Sequence, residues 1–345
     1  MRKGSMKWLA ALLGCAGALA LGMGDAAAQK TRLTVYTALE NDQLQPYKQA
    51  AEADIPDIDI AWVRDSTGVI TARILAEKDN PRADIIWGLG ASSIALFDSM
   101  GLLHPYAPKG IESLKPQFKD AKSPAAWTGM DAWLAVICYN TVEGPKKNAP
   151  KPATWMDLTK AVYKDQVVMP HPASSGTGYL AIFAWLQMMG EEQGWKFMDA
   201  LHQNIAVYTH SGSAPCVQSA RGERVIGIAF DMRGAREKSQ GAPLDLVLPP
   251  EGTGWDMEAT AIMKGTKNLA AAQKLADWAI SRKAYELYGK YYAIVGLPGL
   301  NPAPANYPPN AEAAMVKIDL AKMGQERDRI LAEWSKRYES KAQPK

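Results

Sequence analysis

Three strand–loop–helix units follow one another early in the chain. Runs typical of β-strands cover Thr31–Tyr36, Ile58–Val63 and Asp84–Trp87. Helical patterns follow these runs at Asn41–Ala53, Val69–Lys78 and Ile94–Met100. Because neighbouring parallel strands need a crossover connection, and a helix supplies one, this order predicts a parallel α/β sheet covered by helices.

The segments at the ends of these three strands carry the first candidate binding residues. In parallel sheets, ligands bind beyond the carboxyl ends of the strands. Those ends are Tyr36-Thr37, Ser66-Thr67 and Trp87-Gly88. We therefore expect them to share one rim of a cleft.

A fourth loop, Pro172–Tyr179, carries hydroxyls and glycines to the start of a helix. It follows an apolar run, Gln166–Met169, and precedes a helical pattern over Tyr179–Met189. The first amides of a helix lack partners and carry partial positive charge, so an anion binds there readily. Ser175 and Thr177 can add hydroxyl donors. The loop has no lysine and thus lacks the Walker pattern. An ordinary Ser/Thr helix cap is the alternative interpretation.

The N-terminus has the features of a secretory signal peptide. Basic residues precede an apolar stretch, Trp8–Leu21, and Ala26–Ala28 supplies a cleavage site, so residues 1–28 are predicted to be removed. Lipidation at Cys15 is the competing prediction. Removal lowers the formal charge from +3 to +1, because three basic residues and Asp25 leave. The charge therefore gives no support for nucleic-acid binding.

The other chemistry-bearing residues argue against an enzyme or a metal site. The four histidines are not in metal-ligand spacing, and no Gly-x-Ser-x-Gly motif surrounds Ser175. Cys138 and Cys216 have no Cys-x-x-Cys partner, so redox catalysis is not expected. In an exported protein these two residues form either one disulfide or two buried free thiols. We predict no cofactor, and an exported phosphatase or esterase stays as the alternative from another class.

Five ordered segments resemble the periplasmic solute-binding proteins of bacterial ABC importers, in the branch with ferric-iron and phosphorylated-solute receptors. They are Val35–Ala38, Asp65–Gly68, Ala83–Trp87, Pro172–Gly178 and Gly227–Asp231. The resemblance covers nearly all of the mature chain, and residues 35–110 look most like 2-aminoethylphosphonate-binding proteins.

This resemblance implies a two-lobed type II periplasmic binding protein fold that closes on its ligand about a hinge. It places 29–135 and 240–345 in lobe 1 and 136–239 in lobe 2. It also implies a periplasmic, non-enzymatic, monomeric receptor that binds a phosphonate or phosphate ester and passes it to an ABC permease.

The expected ligand-binding residues combine the strand-end residues with the Ser175 loop and acceptors for a ligand ammonium. The set is Tyr36, Thr37, Glu40, Ser66, Thr67, Trp87, Ser175, Gly176, Thr177, Asp231 and Trp255. In this set Asp231 is the first choice of ammonium acceptor and Glu40 the second, while Trp87 and Trp255 offer cation–π faces.

A ferric-iron receptor is the main alternative. Iron-binding relatives place two adjacent tyrosines where this chain has Phe230-Asp231, and Tyr291-Tyr292 lies in a different element. The resemblance therefore implies no metal site here.

Overall fold

The computed structural model describes residues 30–302 and 304–344 of the 345-residue chain. The predicted signal peptide and Cys15 lie outside the described residues. Within those residues, no helix has the length and apolar character needed to cross a membrane.

The described residues form eleven strands and thirteen α-helices, which alternate in the first third of the chain. The strands are β1 (Thr31–Thr37), β2 (Ile58–Arg64), β3 (Ile85–Gly90), β4 (Leu103–His104), β5 (Thr128–Asn140), β6 (Val167–Pro170), β7 (Ile205–Thr209), β8 (Ile226–Phe230), β9 (Leu244–Val247), β10 (Trp255–Met263) and β11 (Ile294–Val295). The helices are α1 (Asn41–Asp54), α2 (Thr67–Ala76), α3 (Ala91–Ser99), α4 (Glu143–Lys146), α5 (Gly176–Met189), α6 (Glu191–Asn204), α7 (Ala214–Ala220), α8 (Asp231–Ser239), α9 (Leu269–Ala279), α10 (Arg282–Tyr288), α11 (Ala311–Ala314), α12 (Leu320–Gln325) and α13 (Arg327–Tyr338). Single 3₁₀ turns lie at Ile111–Ser113, Pro116–Phe118, Met156–Thr159, Ala161–Tyr163 and Glu339–Lys341.

The sheet is mixed, with parallel strands toward both ends. Its order is β2-β1-β3-β10-β5-β8-β6-β7, and β4, β9 and β11 pair beside this path. Strand β1 is parallel to β2 and β3, as the three successive units predicted. Strand β6 is parallel to β7 and β8. The α/β class expected from the sequence is therefore confirmed.

One strand, β5, belongs to both halves of the molecule. Its first half pairs antiparallel with β10, including Leu134 with Trp255. Its second half pairs antiparallel with β8, starting where Ala135 faces Phe230, and with β9. All thirteen residues of β5 are buried. The chain crosses between the halves a second time between β9 and β10.

The core is divided in the same way. Trp87, Ile85 and the inner faces of α9 and α10 form one cluster, on the side of β1 and β3. Another cluster surrounds the buried helix α5 and includes Trp334 and Tyr338 of α13. We propose that β9 and helix α13 belong with the second lobe, whereas α12 packs against α3 of the first. The sequence-based division assigned all of 240–345 to the first lobe. The two halves are hereafter called lobe 1 and lobe 2.

A disulfide ties β5 to helix α7 inside lobe 2. Cys138 and Cys216 are bonded, with their Cα atoms 5.5 Å apart, and both residues are fully buried. Of the two alternatives that the sequence left open, the structure contains the bridge.

Candidate functional site

A cleft lies between the two lobes, where the carboxyl ends of β1, β2 and β3 face the loops before α5 and α7. Its lining is mostly polar. The lining residues are Ala38, Glu40, Arg64, Ser66, Thr67, Gly90, Trp133, Ser175, Gly176, Thr177, Gly212, Phe230, Glu258 and Tyr292. Six of the expected residues are among them: Glu40, Ser66, Thr67, Ser175, Gly176 and Thr177.

The lobe-2 wall is built by the start of helix α5. Ser175 is the N-cap, and its Oγ accepts a hydrogen bond from the Gly178 amide at 3.4 Å. A hydroxyl that accepts this bond still has its own proton to donate. Ser175 and Thr177 are 2% and 5% exposed, respectively. The predicted helix cap and the predicted ligand donor are thus compatible roles for one side chain.

The lobe-1 wall is built by the start of helix α2, which faces α5 across the cleft. Its N-cap is Ser66, whose side chain makes no cap hydrogen bond. The Gly68 amide donates to the Ser174 carbonyl at 2.9 Å and joins the lobes. A Cβ atom at Gly176 would lie 2.9 Å from Thr67 Oγ1, so this close approach requires a glycine. Two helix N-termini, both favourable to negative charge, therefore meet at one place.

Arg64 brings a positive charge to this site, and the sequence-based set omitted it. It is the last residue of β2 and lines the cleft. Its Nε donates to the Leu39 carbonyl at 2.9 Å, and its Nη2 lies 3.6 Å from Glu40 Oε1. The sequence alone could have indicated Arg64, because this residue lies at a predicted strand end, directly before the Asp65–Gly68 loop. A guanidinium is a strong hydrogen-bond donor to carboxylate and phosphate groups.

Glu40 already has partners from the opposite lobe. Ser213 Oγ donates to its Oε1 at 2.7 Å, and Arg233 Nη2 donates to its Oε2 at 2.6 Å. The Glu40 and Arg233 side chains are only 15% and 12% exposed. Arg236 and Asp42 form a second ion pair between the lobes. Glu40 thus holds the lobes together, which differs from its expected role as acceptor of a ligand ammonium.

A buried acidic pair lies at the cleft beside Tyr292. Glu258 lines the cleft and is 6% exposed, while Asp131 is fully buried. The two carboxyl groups are close enough for the charge of one to act on the other. Burial raises the pKa of both groups, and the negative charge of Glu258 raises the pKa of Asp131 further. Neither Glu258 nor Tyr292 was in the sequence-based set.

Three expected residues from the strand ends of lobe 1 do not reach the cleft. Tyr36 points to the α2 side, where its hydroxyl donates to Glu77 at 2.8 Å. Thr37 is fully buried, and its Oγ1 bonds within the β1 turn, accepting from the Leu39 amide at 3.1 Å. Trp87 is fully buried in the lobe-1 core and donates to Tyr288 at 3.0 Å. The contacts expected of these residues are corrected accordingly.

Two expected residues near the hinge are also turned away. Asp231 is fully buried at the first position of α8, and its Oδ1 accepts from the Met232 amide at 2.9 Å. Burial raises the pKa of Asp231 to about 7. Phe230 lines the cleft instead. Trp255 packs in the core, and its Nε1 donates to the Val316 carbonyl at 2.8 Å. Neither residue is placed to contact a ligand ammonium.

Histidines at the cleft and clusters of metal ligands are the features that bear on catalysis and on metal binding. No described histidine is among the residues that line the cleft. In residues 30–302 and 304–344, no group of three or more His, Cys, Asp or Glu side chains is placed to hold a metal ion.

Two curated relatives resemble the chain over most of its length. An uncharacterized protein of Haemophilus influenzae is 32% identical over 92% of this chain and 93% of its own length. A probable ABC transporter periplasmic-binding protein of Sinorhizobium fredii is 28% identical over 76% of this chain and 74% of its own length.

Solved structures share the fold. The periplasmic binding protein AfuA from Actinobacillus pleuropneumoniae, with exogenous fructose-6-phosphate bound, is 30% identical at a TM-score of 0.83, over 90% of this chain and 99% of that chain. Iron-binding proteins also match at 18% identity, a likeness that concerns the fold alone. Residues 80–322 match the family described as bacterial extracellular solute-binding protein. With a two-lobed fold and a polar cleft between the lobes, the chain belongs to this family of solute-binding proteins.

Proposed function

We propose that this protein is a periplasmic receptor that captures a small phosphonate or phosphate monoester and delivers it to the permease of an ABC importer. The observation that carries the proposal is the meeting of two helix N-termini, α2 and α5, with four hydroxyl residues and Arg64 around one cleft.

This chemistry suits a tetrahedral dianion. Ser66, Thr67, Ser175 and Thr177 supply hydroxyl donors from opposite walls. The amides of Gly176 and Thr177 at the start of α5 add backbone donors, whereas the Gly68 amide of α2 is already bonded to the Ser174 carbonyl. A doubly charged head group with several acceptor oxygens can use donors from both lobes at once. A ligand bound in this way therefore favours the closed arrangement of the lobes.

The relatives support the same class of ligand. The structure of AfuA contains a sugar phosphate, and the Sinorhizobium relative is described as belonging to an ABC transporter. Among phosphonates, 2-aminoethylphosphonate is our specific candidate, because residues 35–110 look most like receptors for it.

Calorimetric titration with a ligand panel tests the proposal. The panel contains 2-aminoethylphosphonate, fructose 6-phosphate, inorganic phosphate and ferric iron. At a concentration 100 times its dissociation constant, a true ligand should add roughly 2.7 kcal/mol to stability, which a thermal-shift assay detects. If iron alone binds and gives a coloured protein with a charge-transfer band, the receptor is a ferric one. Turnover of a chromogenic phosphate ester would instead indicate a phosphatase.

Substitutions in the Ser175 loop test whether the phosphoryl group of the ligand binds there. Ser175→Ala and Thr177→Ala should each weaken binding of the phosphoryl compound by about 1–3 kcal/mol, because each removes a hydrogen bond to a charged group. Ser174→Ala is the matched control. Its hydroxyl lies in the same loop but donates to the His210 carbonyl at 2.8 Å and is not in the cleft lining. Unchanged affinity in both test variants would mean that the loop serves only as a helix cap.

A further inference from the structure

The pairing of β10 with β5 is irregular at Glu258, because two residues of β5, Met130 and Asp131, lie opposite Glu258 alone. Against β5, the register of β10 shifts between Met257, which faces Ala132, and Ala259, which faces Gly129. Glu258 falls in this bulge, on the strand segment where Asp131 is the neighbour from β5. Bulges re-aim single side chains and are frequent beside binding sites. At this bulge, the residue on β10 is Glu258, whose side chain lines the cleft.

One oxygen of this carboxylate has a partner and the other does not. Glu258 Oε1 accepts a hydrogen bond from the Tyr292 hydroxyl at 3.3 Å. Its Oε2 is buried and meets no hydrogen-bond donor within the described residues. A buried acceptor without a donor costs on the order of 1–3 kcal/mol. An incoming donor that reaches Oε2 recovers this free energy.

The groups around Glu258 are acidic or neutral. Asp131 lies beside it on β5, Asp256 is two residues away on β10, and the charge of Glu40 acts on it from the loop before α1. Glu40 is neutralised by Arg233, and Arg64 lies near Glu40. Asp256 accepts the hydroxyl proton of Ser92 at 2.6 Å. Asp131 is fully buried and is not among the residues that line the cleft, so Glu258 is the carboxyl group that a ligand can reach.

We propose that Glu258, positioned by Tyr292, accepts a hydrogen bond from a donor on the end of the ligand opposite its phosphoryl group. The donor is an ammonium or a hydroxyl, the two groups whose protons a carboxylate accepts. This inference rests on the proposed function and defines its ligand class as donor-bearing phosphoryl compounds. Glu258 thereby takes the role that the sequence analysis gave to Asp231, which is buried away from the cleft.

Three ligands of equal length test the proposal in the unmodified protein. They are 2-aminoethylphosphonate, 2-hydroxyethylphosphonate and propylphosphonate, which differ only in an ammonium, hydroxyl or methyl end. At least one of the first two should bind about 10-fold or more tighter than propylphosphonate, because the methyl group leaves Oε2 unpaired. Equal affinities for all three would overturn the inference while the proposed function stands. If neither these ligands nor phosphate esters bind, both fall.

Substitutions then test whether Glu258 is the residue that causes the preference for a donor-bearing ligand. Glu258→Met keeps the length of the side chain without an acceptor and should abolish the preference, with propylphosphonate bound as in the parent. Glu258→Gln should lose an ammonium preference but keep a hydroxyl preference, since its carbonyl still accepts. Tyr292→Phe removes the donor that orients Oε1 and should reduce the preference several-fold, which provides a second test if Glu258→Met does not fold. A preference that persists unchanged in Glu258→Met or Tyr292→Phe would exclude Glu258 as its source.

Discussion

Replacing Glu40 by Gln should weaken ligand binding by loosening the contact between the lobes. In the structure, the Glu40 carboxylate joins lobe 1 to Arg233 and Ser213 of lobe 2, at 2.6 and 2.7 Å. Gln keeps the side-chain length and an acceptor oxygen for Ser213. The substitution therefore removes mainly the charge on the lobe-1 side of the pair.

The size of the effect follows from the environment of the pair. Both side chains are about one-eighth exposed, so an effective dielectric constant near 20 applies, and two unit charges about 4 Å apart then interact by roughly 4 kcal/mol. Desolvation opposes this attraction, and Arg233 retains Glu237 as a partner at 3.2 Å. A net loss of about 1.5–3 kcal/mol from the closed state is reasonable for a charge-assisted hydrogen bond. If closure accompanies binding, Kd rises roughly 10- to 150-fold.

Calorimetric titration with the tightest ligand of the panel measures the change in Kd, and small-angle scattering of the bound protein reports whether the lobes close. Glu237→Gln is the matched control. Glu237 pairs with the same Arg233 and is equally exposed, but it lies in the same helix and the same lobe. We expect less than about a threefold change in its Kd, because no contact between lobes is lost. Equal Kd values for Glu40→Gln and the parent would refute the reasoning.

Two further predictions concern stability. Burial raises the pKa of Asp231 to about 7, so the stability that this group contributes is full at low pH and lost as pH rises through 7. Asp231→Asn mimics the protonated form at every pH. The melting temperature of the variant minus that of the parent should therefore be several degrees larger at pH 8 than at pH 5. A difference that is the same at both pH values would contradict this prediction. Joint replacement of Cys138 and Cys216 by Ala opens a loop with a sequence separation of 78 and should destabilise the protein by about 4 kcal/mol. A reducing agent should lower the melting temperature of the parent but not that of the variant, and equal sensitivity of the two proteins would argue against the bridge.

The sequence was sufficient to place the hydroxyl loops but not the side chains at the strand ends. Ser66 and Ser175 lie in loops directly after predicted strands, and chain order alone brings such loops to one edge of a parallel sheet. Trp87 was expected to end its strand, yet β3 continues to Gly90, which lines the cleft. The indole therefore falls within the strand, and its side chain belongs to the core.

Glu258 was beyond sequence-based prediction for a different reason. Its position depends on a bulge where β10 pairs with β5, a strand far away in the chain. Local patterns of polar and apolar residues contain no information of this kind. Arg64, in contrast, stands at the end of β2, where the rule that selected Ser66 would have found it.

The sheet order has a consequence for how the chain folds. Strand β10 lies between β3 and β5, so the lobe-1 sheet stays open until Trp255–Met263 is available. Until then β3, whose six residues are all buried in the finished protein, has an unpaired apolar edge. Because β3 precedes β10 by about half the chain, a nascent chain exposes that edge while lobe 2 is still being synthesised. Lobe 1 is therefore the half that most needs protection from aggregation, and its closure is a late step of folding.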